Sequence, residues 1–74
     1  MPRNYQYRAI VVGKGLLIGG GKRHASSWFR TKKEADDWAT AVREGNEASR
    51  RPIAFVTYER RRGGVIELIA MEDS

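Results

Sequence analysis

One helix signature stands between stretches of strand character, and it leaves this chain few ways to fold. Thr31-Lys32-Lys33-Glu34 has the form of a capping box, in which the Thr31 hydroxyl accepts from the Glu34 amide and the Glu34 side chain reaches back. Ala35, Trp38, Ala39 and Val42 then recur at i, i+3, i+4 and i+7, which predicts a narrow apolar stripe on one helix face. Glu34, Asp36 and Asp37 fall in the early turns, where the positive end of the helix dipole favours acids. Gly45 or Asn46 can supply the left-handed residue that ends the helix. The stripe places Trp38 at the centre of the expected core.

The flanking segments read as strands. Tyr5 to Val12 is rich in β-branched and aromatic residues, and His24 to Phe29 has similar character. Between them, Gly13-Lys14-Gly15 breaks the first strand, Leu16-Leu17-Ile18 extends a strand or caps the core, and Gly19-Gly20-Gly21 is a flexible break. After the helix, Ile53 to Arg60 and Val65 to Met71 read as a second hairpin turning at Arg61-Arg62-Gly63-Gly64. Glu67 marks a solvent face and assigns Ile66, Leu68 and Ala70 to the core. The third strand leaves its facing open between Ile53/Phe55 and Val56/Tyr58. The expected fold class is α+β, a small antiparallel β-β-α-β-β sheet with one helix packed on one face, forming a single domain over residues 1–74.

Size limits what such a domain can do. A chain of 74 residues buries about 60% of its unfolded surface, and with no cysteine it has neither disulfides nor thiolate metal sites. His24 is the one histidine and has no carboxylates at ligand spacing, so no metal or cofactor is expected. The core must come from packing, with a partner or a second copy as the available supplement. No apolar run approaches the ~20 residues of a membrane span. Met1-Pro2-Arg3-Asn4 also lacks the apolar stretch of a signal peptide, so a cytoplasmic location is expected.

The glycine clusters do not make a phosphate loop: Gly21-Lys22 is followed by Arg23 and then by strand, and the position five before Gly21 is Leu16. Nor is there a catalytic constellation. Ser26 shares a strand face with His24 without completing a triad, and the acids are spread as solvating charges usually are. No enzyme is expected.

Charge is the stronger signal. Between Thr31 and Glu47 three bases meet five acids, a net of −2, whereas the rest of the chain holds eleven bases and four acids, a net of +7. The predicted helix is therefore acidic and the positive potential belongs to the strands and turns, which favours an anionic partner. Arg8, Lys14, Lys22, Arg23, Arg30, Arg50, Arg51 and Arg60-Arg61-Arg62 lie in strands or at their ends, and two hairpins would gather such positions on one face or one rim. Arg60-Arg61-Arg62 on a glycine turn is read as a phosphate contact. Trp28 and Phe29 point to opposite faces. With Phe29 under the helix, Trp28 either stacks on a ligand, packs on a neighbouring aromatic or closes a dimer.

The stretch Ser27-Trp28-Phe29-Arg30-Thr31-Lys32-Lys33-Glu34-Ala35-Asp36-Asp37-Trp38-Ala39, with Tyr5-Gln6-Tyr7-Arg8 ahead of it, resembles the AP2-like arm-type N-terminal DNA-binding domains of phage and transposon tyrosine integrases. The resemblance covers roughly residues 5 to 42. It implies a sheet, backed by the helix, that lies in the DNA major groove, with outward contacts from Arg8, Lys22, Arg23, Ser26, Trp28 and Arg30. The expected function is thus a non-catalytic DNA-binding module, most directly for duplex DNA, that docks through a basic sheet face and hairpin turns. One alternative is a small phage or mobile-element regulator that grips an acidic protein through Trp28, Tyr58 and the sheet edge. Another is RNA binding by stacking on Tyr5, Tyr7 or Trp28.

Overall fold

A computed structural model describes residues 4–13, 23–48 and 53–73. Strand β1 (Gln6–Gly13) and the short β2 (Arg23–Ala25) precede helix α1 (Lys32–Ala48), and β3 (Ile53–Arg62) and β4 (Val65–Asp73) follow it. The strands form one antiparallel sheet in the order β2-β1-β3-β4, the expected α+β arrangement. Helix α1 crosses the two central strands, β1 and β3. No helix among the described residues is long and apolar enough to cross a membrane. Lys14, Lys22, Arg50, Arg51 and the Leu16-Leu17-Ile18 run lie outside the described residues.

The capping box starts the helix. The Glu34 amide donates to the Thr31 hydroxyl at 3.2 Å, and that hydroxyl donates onward to the Glu34 carboxylate at 3.2 Å. Glu34 thus closes the box on the threonine side chain rather than on its backbone. Ion pairs Lys32–Asp36 and Lys33–Asp37, each four residues apart, brace the first turns. The helix runs through Gly45 and Asn46 to Ala48, past the stop expected there. A lone glycine costs only about 1 kcal/mol inside a helix, too little to end one by itself.

The core lies where α1 meets the sheet. Ala35 and Ala39 are buried against Ala9 and Val11 of β1 and Ile53, Val56 and Tyr58 of β3. Trp38 is only half-buried and joins Tyr7, Phe29, Val42, Ile69 and Ala70 around the margin. The expected central tryptophan is therefore peripheral, because the two alanines let the helix backbone come close to the sheet and push larger side chains outward.

Two bulges decide the facing of β3 and β4. Val12 pairs with Phe55 and Gly13 with Ile53, so the register steps over Ala54. Ile53, Val56 and Tyr58 consequently all face the helix, which resolves the ambiguity in the third strand. A second bulge skips Ile69, with Tyr58 opposite Ala70 and Glu59 opposite Leu68. Ile69 and Ala70 therefore turn to the core, while Ile66, Leu68 and Met71 share the other face. Ile66 and Leu68 were expected inside, and they are exposed. Ile10 is nearly fully buried as well, on the face away from the helix.

Tyr58 is 3% exposed. Burial first, and then the carboxylates of Glu72 and Asp36, push its hydroxyl well above the ordinary tyrosine value of 10.0. The folded state keeps a proton there that the unfolded chain loses, so this contribution is complete below about pH 10 and falls as pH rises beyond it. The urea midpoint of the wild type should fall as pH rises from about pH 10 to about pH 12, and Tyr58→Phe should flatten that fall. Parallel losses in both proteins would refute the assignment. Thr31→Ala should cost about 1 kcal/mol, seen as a melting temperature lower by about 4–8 °C.

Candidate nucleic-acid interface

Strand alternation places the side chains at the Gln6 end of the sheet. Gln6 and Arg8 of β1, with Glu59 and Arg61 of β3, point away from the helix, whereas Tyr7 and Arg60 point to the helix side. The β3–β4 connection is a two-residue loop, Gly63-Gly64, closed by the Arg62–Val65 pair. Both glycines have positive φ, 60° and 86°, the conformation of a type I′ turn. Arg61 and Arg62 are therefore strand residues rather than turn residues. Because neighbours on a strand face opposite ways, Arg60-Arg61-Arg62 does not form one patch.

Each half of the split triplet meets an aromatic ring. Away from the helix, the guanidinium carbons of Arg8 and Arg61 lie 4.5 and 4.4 Å from the Trp28 ring centroid. On the helix side, those of Arg60 and Arg62 each lie 4.4 Å from the Tyr5 ring. Phe29 forms a bridge with Tyr7 through two backbone hydrogen bonds of 2.6 and 2.7 Å, and this sends Trp28 to the opposite face beside Arg8. Tyr5 and Tyr7 stand 6.3 Å apart in a tilted pair. Such cation–π contacts are worth about 0.5–1 kcal/mol at exposed sites, enough to hold long side chains in preferred poses.

The four guanidinium groups are not equally neutralised. Arg8 donates to Glu59 at 2.7 Å, a partly buried ion pair that consumes most of its charge locally. Arg60 faces Glu67 at 3.5 Å, an ion pair too long to be a good hydrogen bond. Arg61 donates instead to the neutral Gln6 amide oxygen at 2.8 Å and keeps its full charge. Arg62 is exposed and has no ion pair to a described carboxylate. Arg30 is exposed and lines a shallow depression with Asn4, Tyr5, Gln6 and Tyr7. A second depression joins Asn4 and Gln6 to Arg61, Arg62 and the glycine turn. Arg30, Arg61 and Arg62 thus supply the unneutralised cations around this end of the sheet.

Other expected contacts fall elsewhere. Arg23 pairs with Val12 at the far end of β1, about 20 Å along the strand from Gln6. Ser26 is buried, its hydroxyl accepting from the Ala9 amide at 3.0 Å and donating to the Ser27 carbonyl at 2.8 Å. Its role is to satisfy β1 where β2 ends, so it is not an outward contact. Gln6 and Glu59 were not among the expected site residues, and Tyr5 was expected only as a stacking platform for RNA. Their place follows only from the β1–β3 register, which brings Tyr5-Gln6-Tyr7-Arg8 against Glu59-Arg60-Arg61-Arg62. The broad basic face also narrows. Away from the helix the sheet carries Val12, Phe55, Ile66, Leu68 and Met71 in addition to Arg8 and Arg61, and its cations gather at one end. Among the described residues no cluster of ligating side chains could hold a metal.

Comparison with protein-family models, curated proteins and solved structures gives no significant match.

Ser26→Ala would leave the Ala9 amide buried without its acceptor and should cost about 1–3 kcal/mol in a urea titration. Unaltered stability would show that the hydroxyl is not satisfying that amide.

Proposed function

We propose that this chain is a non-catalytic DNA-binding module whose cationic, aromatic end grips the phosphates of a duplex. The observation that carries the reading is the pair of arginine–aromatic clusters, Arg8–Trp28–Arg61 and Arg60–Tyr5–Arg62, on the two sides of one sheet end. Stacked guanidinium groups lose less rotamer freedom on meeting a phosphate, and Arg61 remains charged because its partner is an amide. Both sides of the β3–β4 hairpin carry arginine, as suits a two-stranded ribbon flanked by phosphates in a groove.

Electrostatics supports the same orientation. Helix α1 bears Glu34, Asp36, Asp37 and Glu44 on the side of the molecule opposite Arg8, Arg61 and Trp28. Docking through the helix would bring acids against phosphates, and docking through the hairpin end avoids this. The resemblance to arm-type integrase domains, carried by residues in the 5–42 stretch, supports Arg8, Trp28 and Arg30 as part of the contact. The order here is two strands, helix and hairpin, whereas that family sets three strands before the helix. The hairpin's contribution accordingly rests on its own geometry.

If about four phosphates are engaged, the logarithm of the binding constant should fall with the logarithm of salt concentration at a slope near −3.6. Replacing Arg61 and Arg62 by alanine should reduce that slope by about 1.8 and weaken binding to unrelated duplexes alike, without loss of fold. A salt-independent affinity, or the same slope in the double variant, would contradict the proposal. Preference for one acidic protein, with no duplex binding, would favour the interaction-module alternative.

A further inference from the structure

Strand β4 ends the sheet, so its outer backbone edge has no strand beside it among the described residues. It is nine residues long and carries no proline or lysine, and its charged residues are Glu67 and, at its end, Glu72 and Asp73. Val65, Ile66, Leu68 and Met71 on it are 62%, 51%, 64% and 61% exposed. A long apolar edge of this kind invites another strand, and its pattern indicates which one.

We infer that β4 pairs antiparallel with β4 of a second copy, about a two-fold axis at Leu68. Counting outward from Leu68, Ile66 lies two residues before it, and Met71 lies three after it across the bulge at Ile69. The extra residue restores phase: Leu68 meets the partner's Leu68, Ile66 meets the partner's Met71, and Met71 meets the partner's Ile66. All of these lie on the face away from the helix. Two-fold pairing requires such self-complementarity, and a strand with unbroken alternation would place Ile66 opposite Ala70 instead.

The charges agree with this register. Val65 then lies opposite the partner's Glu72 on the helix-side face, and Arg62 pairs with Val65 within its own hairpin. Arg62 and the partner's Glu72 are thus one strand apart on the same face, within reach of an arginine side chain. The contact occurs twice about the axis. Edge pairing leaves Trp28, Arg8, Arg61 and the start of β1 uncovered, since β1 is separated from β4 by β3, but it engages Arg62, which is free to meet a phosphate only in the monomer.

Sedimentation equilibrium measures the mass without reference to DNA, so its outcome is separate from the function proposed above. The wild type should show reversible association to twice the chain mass. Leu68→Lys should be a folded monomer by circular dichroism, because that side chain contributes little to its own subunit's core. Glu72→Arg and Arg62→Glu should each weaken the dimer by like-charge repulsion, and an equimolar mixture of the two should regain the doubled mass through opposite-charge contacts. A wild type that stays monomeric to its solubility limit, a Leu68→Lys protein that still dimerises, or a mixture no tighter than its components would each overturn the inference.

Discussion

The contact between Ala35 and Ala39 of α1 and the strands beneath them organises the rest of the molecule. In a chain this short there is room for one helix–sheet interface, and small side chains at its centre let the two layers approach closely. Val11 and Val56 pair directly across β1 and β3, as do Ala9 and Tyr58, so the residues under the helix form a continuous cross-strand layer. Tyr58 fills the space that the alanines leave. Its hydroxyl emerges beside Asp36 and Glu72, joining the helix and β4 to the same centre. Once this interface is set, the alternation of β1 and β3 determines which cations face which way.

The elements that rest on local chemistry were legible in the sequence. Thr31 and Glu34 announce the helix start because capping needs only those side chains and adjacent backbone. Gly63-Gly64 announces the hairpin because both positions adopt positive φ. The split of Phe29 and Trp28 between faces follows from alternation alone. The four-strand antiparallel architecture then follows from the order of these pieces.

What the sequence did not disclose depends on non-local pairing. The bulges at Ala54 and Ile69 each shift the alternation by one residue, and no local pattern in Ile53-Ala54-Phe55 or Leu68-Ile69-Ala70 marks them. That is why Ile66 and Leu68 were assigned inward when they face outward. The arginine triplet seemed a single patch while Arg61 and Arg62 were counted with the turn. As strand residues they divide between Trp28 and Tyr5. Ser26 looked like a surface donor because its partner, the Ala9 amide, lies 17 positions away in the chain. Trp38 looked central because its stripe was clear, but a stripe gives a direction and not a depth.

The proposed function rests on charge arranged by this geometry: an acidic helix on one side, and arginines held against aromatic rings at the hairpin end of the sheet. Backbone and indole chemical shifts recorded during titration with a short duplex test that arrangement most directly. The account predicts perturbations concentrated at Tyr5–Arg8, the Trp28 indole, Arg30 and Glu59–Gly64, with Lys33–Glu44 quiet. Perturbations concentrated along the helix, or none at the Trp28 indole and the hairpin end, would contradict it.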